Sequence, residues 1–154
     1  MNSRELETLG DPDLKIAGLR LWVHGRQFPQ SQDYWDGNWL IVTAHCIYPQ
    51  SSVRTHGSIV HLGEIYGLLQ ETEALFQTLR GKAELRCMEP NLGVELLAQT
   101  GGHIQVKISI TPDQITEIHS YTDGIDQTYL PPIITGCKAI LAKFPLREAE
   151  AIQR

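Results

Sequence analysis

The stretch NWLIVTAHCIYP, residues 38–49, decides the fold. Its apolar side chains occupy both alternating faces, it is rich in β-branched residues, and a proline closes it. Strands that are covered on both sides have this pattern, whereas half-exposed strands alternate apolar with polar residues. The stretch therefore predicts a central strand of a sheet with both faces covered.

Two segments precede this strand in the domain. In LKIAGLRLWVHG, residues 14–25, apolar residues alternate, and the parity of the alternation changes across Ala17-Gly18, which predicts a strand with a β-bulge at Gly18. Residues 26–37 are polar, contain a proline and two aspartates, and are predicted to form a loop. Residues 1–13 are also polar and are expected to form a loose N-terminal arm.

A helix is predicted after a second, weaker strand at residues 53–60. From Leu62 to about residue 80 the apolar residues recur at helical spacing, and Gly81 is placed as the C-cap. Because its apolar residues share one face, this helix is expected to pack on the sheet.

The second half of the chain predicts an antiparallel meander. Four strand-like runs, the last at residues 114–121, are separated by short turn signals that include Gly101-Gly102. Residues 123–126, DGID, are predicted to form a loop. Apolar residues at helical spacing over residues 131–144 then predict a second helix, with proline in its first turn.

Together these elements predict an α+β fold: a mainly antiparallel β-sheet of about six or seven strands with two packed α-helices. A single domain is expected over residues 14–147, followed by a charged C-terminal tail at residues 148–154. A chain of 154 residues can bury about 70% of its unfolded surface, so it needs neither disulfides nor metals to form a core.

Composition argues against several classes of protein. Lys and Arg number 13 against 18 Asp and Glu, for a net charge of −5. Because direct binding of nucleic acid relies on clustered cations, this balance argues against a nucleic-acid-binding protein. No apolar stretch suits a secretory signal or a membrane span, so a cytoplasmic protein that does not bind membranes is expected. Cys46, Cys87 and Cys137 are far apart in apolar sequence and are predicted to be reduced and buried.

Motifs for catalysis or for a cofactor are not found in the sequence. The histidines and cysteines lack the spacing of metal sites, and neither a nucleophile elbow nor a glycine-rich phosphate loop occurs. Glu84, Glu89 and Glu95 could act across strands as acid and base, but their alternation with apolar residues is typical of a solvated sheet face. We therefore expect no catalytic residue, metal or cofactor.

The first group of candidate binding residues is Tyr34, Trp35, Asp36 and Asn38. Aromatic rings beside a carboxylate and an amide can line a ligand or partner site, because rings supply contact area at low entropy cost. The alternative is structural: Asn38 could bond the backbone of the loop that enters the central strand, where Trp39 is the first core residue.

The second group is Glu89 and Asn91, in the string MEPNL at residues 88–92. Proline restricts the preceding glutamate to extended backbone, and Pro90-Asn91 suits the centre of a tight turn. The string therefore predicts a hairpin corner, which could also present a carboxylate and an amide to a partner.

Four strings, taken in order, carry a resemblance to a known family: residues 36–40 (DGNWL), 79–81 (LRG), 88–92 (MEPNL) and 144–147 (FPLR). With them, the chain from about residue 14 to 147 resembles the WapI-like immunity protein family, small cytosolic bacterial proteins encoded beside polymorphic, contact-dependent toxins. The resemblance implies an inhibitory binding protein that sequesters a toxin domain, often a nuclease. It implies no catalytic residues.

The acidic net charge is compatible with this resemblance, because an acidic inhibitor is steered towards the basic cleft of a nuclease. Two other interpretations stay open. One is a small ligand-binding module or enzyme with a pocket near Trp35, Asp36, Asn38 and Glu89. The other is a structural subunit that forms a homodimer through its sheet.

Overall fold

Two antiparallel sheets of four strands each are found in a computed structural model, which describes residue 4 and residues 8–148. Sheet 1 has the order β1 (Leu14–Ile16), β2 (Leu19–Arg26), β3 (Trp39–Tyr48) and β4 (Ser51–His61). Sheet 2 has the order β5 (Lys82–Arg86), β6 (Leu92–Ala98), β7 (His103–Ile110) and β8 (Ser120–Asp126). The α+β class is confirmed, whereas the prediction of one sheet of six or seven strands is corrected to eight strands in two sheets.

Three α-helices accompany the sheets in the described residues: α1 (Tyr34–Gly37), α2 (Leu62–Thr78) and α3 (Leu130–Lys143). α2 packs along β5 and against α3, and α3 packs on β1. The buried faces of both sheets and both long helices share one hydrophobic core. Within the described chain, no helix is long and apolar enough to cross a membrane.

The predicted β-bulge at Gly18 is wrong. Ala17, with φ of 51°, and Gly18 form the turn of a hairpin between β1 and β2. The change in parity therefore marks a reversal of the chain, which is why one predicted strand becomes two. A register shift does occur in β2, but at His24, between Val23 and Gly25.

The segment predicted as a loop, residues 26–37, ends in the single helical turn α1. The carboxylate of Asp33 accepts hydrogen bonds from the backbone N–H groups of Trp35 and Asp36, each at 3.3 Å. A helix of four residues presents no repeating apolar face, so hydrophobic periodicity could not reveal it.

The predicted end of the first long helix is also corrected. α2 ends at Thr78, and Leu79 adopts the left-handed conformation with φ of 53°, so the cap is Leu79 rather than Gly81. The second long helix, Leu130–Lys143, confirms the prediction to within one residue.

The strand predicted at residues 114–121 and the loop predicted at 123–126 are displaced. β8 begins at Ser120 and contains the DGID string, while residues 111–119 form an irregular connection, here called the β7–β8 loop. β8 is an edge strand with no buried residue. An edge strand tolerates the Gly and Asp that elsewhere signal a turn.

The stretch that decides the fold, β3, lies between β2 and β4 as predicted, but only one of its faces packs on the core. Leu40, Val42 and Ala44 are fully buried on that face. On the other face Ile47 is exposed, while Thr43 and His45 are buried, at 1% and 9% exposure. This face is apolar at both ends, and the polar residues Thr43 and His45 lie at its centre. The sequence pattern therefore predicted a face more apolar than it is.

Tyr48 links the two sheets at the end of β3. Its ring stacks on Tyr121 of β8, with centroids 4.9 Å apart and an interplanar angle of 18°, and its hydroxyl donates to the Asp123 carboxylate at 2.9 Å. Burial and this hydrogen bond raise the pKa of Tyr48 to about 12, so the donor stays protonated.

Candidate functional site

Asn38 lies at the centre of a hydrogen-bond network between α1 and the C-terminal end of the described chain. Its side-chain NH2 donates to the carbonyl groups of Tyr34 and Arg147, at 2.7 and 2.8 Å. Its oxygen accepts from the Arg147 N–H at 2.9 Å and the Arg26 guanidinium at 3.2 Å. The amide is fully buried and has used its donors and acceptors, so it serves the fold and has nothing left for a ligand.

The same network joins the first and the last string of the resemblance. The Arg26 guanidinium also donates to the carbonyl oxygens of Gly37, at 2.6 Å, and Pro145, at 2.5 Å. A Cβ atom at Gly37 would lie 2.6 Å from the carbonyl oxygen of Ser31, so this close approach requires glycine. These two strings contact each other and stabilise the fold.

Aromatic rings surround His61 at the N-terminus of α2. The ring centroids of Tyr34, Trp35 and Trp39 lie 5.2, 5.8 and 5.1 Å from that of His61. Nδ1 of His61 accepts the N–H of Gly63 at 3.0 Å, so the imidazole caps the helix. Trp35 is 46% exposed, and it is the ring of this cluster that is most available to a partner.

Glu64 connects this cluster to the MEPNL corner. One carboxylate oxygen accepts the backbone N–H of His61 and the other accepts that of Met88, each at 2.8 Å. The two groups of candidate residues are far apart in sequence but are joined here through a single side chain.

Asn91 joins the MEPNL corner to the β7–β8 loop. Its side-chain NH2 donates to the carbonyl of Thr111 at 2.9 Å, and its own carbonyl accepts the Thr111 N–H at 2.9 Å. The corner between β5 and β6 is confirmed as a turn. Because Asn91 bonds both ways, the corner and the loop form one unit at this end of sheet 2.

Large apolar side chains are exposed on this unit. Ile115 and Ile118 of the β7–β8 loop are 90% and 91% exposed, and Met88 is 57% exposed. The loop is ordered by Asp113, whose carboxylate accepts the Ile115 N–H and whose carbonyl accepts the Glu117 N–H, each at 2.9 Å. Clustered apolar side chains held out in water are typical of a partner-binding site.

We call this region the corner surface; it consists of Met88, Glu89, Asp113, Ile115, Glu117 and Ile118. Its three carboxylate residues are all exposed, and each lies within two residues of one of the exposed apolar side chains in the sequence. Exposed apolar and acidic side chains are thus combined on one unit of the fold.

Clefts lie elsewhere on the molecule. The largest of the four described, about 510 Å³, is lined by β1, β8 and α3, and it shares Tyr129 with a neighbouring cleft of about 490 Å³. Two smaller clefts of about 300 and 200 Å³ lie on the strands of sheets 2 and 1. None of the six candidate residues lines any of these four clefts.

The three cysteine thiols are in environments that make them unreactive. All three cysteines are free; Cys46 and Cys137 are buried as predicted, while Cys87 is half-buried. Burial raises the pKa of Cys46 to about 11 and that of Cys137 to about 12, and burial with nearby Glu64 raises that of Cys87. Across residue 4 and residues 8–148, no group of three or more His, Cys, Asp or Glu side chains is placed to hold a metal ion.

The structure places the predicted binding residues on both sides of Glu64. Glu89 lies on the corner surface, Asn91 holds it together, and Tyr34, Trp35 and Asp36 lie beyond Glu64 on the adjoining end of the molecule. Ile115 and Ile118 were missed, because their segment was interpreted as a strand. Their spacing of three residues does not fit strand alternation and was the available signal.

An α+β domain that exposes large apolar and acidic side chains on one ordered loop and turn is typical of a small protein-binding domain. The sequence model of the family described as "Immunity protein WapI-like family" matches residues 10–145, and the chain belongs to this family. No match is found among the curated proteins.

Proposed function

We propose that this protein is a non-catalytic inhibitor that neutralises a cognate toxin domain by binding it through the corner surface. The observation that carries the proposal is the pair Ile115 and Ile118, each at least 90% exposed on an ordered loop. Membership of an immunity protein family supports the inhibitory role.

The free energy of burying apolar side chains supports a role for Ile115 and Ile118 as the main contacts with the partner. Burying one such side chain at an interface contributes about 1.5 to 3 kcal/mol. Because Asp113 and Asn91 hold the loop in one conformation, little further ordering of the backbone is needed on binding. Two anchors of this size account for a large part of a nanomolar affinity.

Charge supports a basic partner. Glu89, Asp113 and Glu117 are all exposed on the corner surface, so this surface attracts a protein whose complementary pocket carries Lys or Arg. A nuclease toxin has such a basic cleft, and we propose a nuclease domain, acting in the cytoplasm, as the target.

The remaining candidate residues have supporting roles in this proposal. Trp35, with Tyr34 behind it and Asp36 beside it, extends the contact area from the corner surface across the N-terminus of α2. Asn91 is a positioning residue for the loop. Asn38 contributes only through the fold.

The experiment uses the toxin domain encoded by the gene immediately upstream. Binding to the purified full-length protein is measured by calorimetry, and protection is measured by growth on co-expression. We expect nanomolar binding that weakens with salt, and a loss of about 100-fold in affinity in the double variant Ile115→Ser/Ile118→Ser. The matched control Ile47→Ser/Phe76→Ser removes exposed apolar side chains elsewhere and should bind as the wild type does.

The possible outcomes test the inhibitory function and the choice of binding surface separately. No binding to any product of adjacent genes, together with no protection, would refute the inhibitory function. Binding that survives the double variant would refute the corner surface alone. A copurified small molecule seated near Tyr129 would favour a ligand-binding module, and a stable homodimer that buries the loop would favour a structural subunit.

A further inference from the structure

Four basic residues lie side by side across the solvent face of sheet 1. The register pairs Lys15 with Arg20, Arg20 with His45, and His45 with Arg54, so one residue comes from each strand. Directly paired residues of antiparallel strands have their side chains on the same face. We call this set the cation row; with strands about 4.8 Å apart, it extends over roughly 14 Å.

Two carboxylates lie near the cation row but belong to neighbouring segments: Asp123 of β8 lines a cleft together with Lys15, and the Asp13 carboxylate accepts the backbone N–H of Val23 at 2.7 Å. The four strands of sheet 1, all of whose residues are described, contain no Asp or Glu. No ion pair of Lys15, Arg20 or Arg54 is found within the part of the chain that the structure describes. Like charges directly opposite each other destabilise a sheet, so the row does not serve the stability of the fold.

A second feature lies beside the row on the same face. The hydroxyl of Thr43 is 2.7 Å from Nε2 of His24 and 2.8 Å from Nδ1 of His56. The two imidazole rings are exposed, with centroids 5.4 Å apart. A cleft of about 200 Å³, lined by Thr43, Arg54, Thr55 and His56, connects this pair to the row.

We propose that the solvent face of sheet 1 binds a single-stranded nucleic acid, with the cation row along the phosphates and the His24–His56 pair against a base. Histidine is among the side chains on which unpaired bases stack. Flat, positively charged surfaces with stacking rings are how proteins bind single strands without reading sequence.

The apolar content of the face favours nucleic acid over a protein partner. Protein interfaces need apolar anchors at their centre, whereas nucleic-acid interfaces are more polar and much more positive. Trp22 is buried, its indole N–H donating to the Gly10 carbonyl at 3.0 Å, so it offers no anchor. Ile47, at 39%, is exposed only near the end of β3. The net charge of −5 is an average that conceals this face.

The experiment measures fluorescence anisotropy of a labelled single-stranded RNA, and of the DNA of the same sequence, of about 12 nucleotides, with the full-length protein. At about 50 mM salt we expect micromolar binding, and a slope of log K against log salt near −2, since each phosphate contact on a single strand contributes about −0.7. The variant Arg20→Ala/Arg54→Ala should bind at least about 10-fold more weakly, with a slope near −0.7, because one contact is left.

The matched control is Lys82→Ala/Lys107→Ala, which changes the net charge equally on the face of sheet 2. We expect less than about a twofold change in its affinity, and a melting temperature of the Arg20/Arg54 variant no lower than that of the wild type. The proposal is independent of toxin binding, so the Ile115→Ser/Ile118→Ser variant should bind RNA normally.

Three results would overturn the proposal. The first is no binding of either probe at about 0.1 mM protein and 50 mM salt, where even non-specific binding is measurable. The second is an equal loss in the control variant, which would indicate only the average charge. The third is competition by a 12-residue poly-glutamate peptide as effective as that by unlabelled RNA, which would assign the face to an acidic protein segment.

Discussion

The two sheets each have four strands in sequence order, but the charges on their solvent faces differ in sign pattern. In sheet 1 the permanent charges of the row, Lys15, Arg20 and Arg54, are all positive, and the imidazole of His45 lies between the two arginines. In sheet 2 the equivalent row has mixed signs and ends in a neutral residue: Glu84, Glu95, Lys107 and Thr122.

Charges of sheet 2 stabilise its edge. Glu84 pairs with Lys82 at 2.8 Å and with Arg86 at 3.1 Å. Glu71 of α2 accepts the backbone N–H of Glu84 and pairs with Arg86, each at 2.9 Å. The helix thus covers the open edge of β5 with a carboxylate, which prevents edge-to-edge pairing there.

Sheet 1 is held at the start of β3 by hydrogen bonds rather than ion pairs. Asn38, the backbone around it and the Arg26 guanidinium form this network, while Lys15, Arg20 and Arg54 make no ion pair within the described residues. Charge in sheet 2 serves the fold and charge in sheet 1 is available for an anion; the following predictions test that difference.

The largest expected effect is on the Asn38 network. Asn38→Ala removes the partner of the Tyr34 and Arg147 carbonyl groups and of the Arg147 N–H, and should reduce the free energy of unfolding by about 3 kcal/mol. Urea denaturation measures it. Asn91→Ala, at a partly exposed amide, is the control and should cost about 1 kcal/mol. Equal losses in the two variants would contradict the central role of Asn38.

A smaller effect is expected at the contacts that Glu71 makes with Glu84 and Arg86 at the edge of sheet 2. Glu71→Ala removes an acceptor for a strand N–H and an ion pair, and should cost about 1.5 kcal/mol. Hydrogen exchange at the Glu84 amide should accelerate in the variant. Glu73→Ala, two residues away on α2, should change neither quantity; if it does, helix propensity and not the loss of these contacts is responsible.

Sequence patterns predicted the parts of this fold that repeat. Long apolar periodicity located β3, α2 and α3, because many residues contribute to each pattern. The hairpin at Ala17-Gly18 and the helical turn α1 depend on two or four residues and on contacts with the rest of the chain. Local patterns therefore could not distinguish a turn from a bulge there.

The candidate site was predicted less completely, for two physical reasons. Asn38 and Trp35 are three residues apart, and only burial in the folded chain separates the structural amide from the exposed ring. The cation row depends on register between four strands, which no linear charge count contains. The absence of Asp and Glu from the stretches that form sheet 1 was visible, but the net charge averaged it away.

Reciprocal charge changes should have opposite effects in the two sheets. Glu84→Lys removes two ion pairs and places a third cation between Lys82 and Arg86, and should cost about 1 kcal/mol. Arg54→Glu gives the sheet 1 row mixed signs, and should leave stability unchanged or raise it by about 0.5 kcal/mol. Thermal melting at low and high salt measures both; losses of the same sign and size would remove the proposed difference between the sheets.

The smallest effect concerns the dependence of stability on pH. Burial, and then the proximity of Arg54 and Arg20, lower the pKa of His45 below its ordinary value of 6.5; burial and nearby His56 likewise lower the pKa of His24, against a weaker opposing effect of Asp13. Both groups bind protons more weakly in the folded state than in the unfolded state. Their contribution to stability is therefore complete above pH 6.5 and declines as the pH falls through that value towards the folded pKa.

Substitution of His45 measures how much this residue contributes to the pH dependence of stability. Between pH 7 and 5.5, above the range where most carboxylates titrate, the melting temperature of His45→Gln should decrease less than that of the wild type. NMR titration of Arg54→Ala should move the pKa of His45 only part of the way back to 6.5, because burial is the larger cause. A complete return would mean that charge repulsion within the cation row, and not burial by the sheet, is what lowers the pKa of His45.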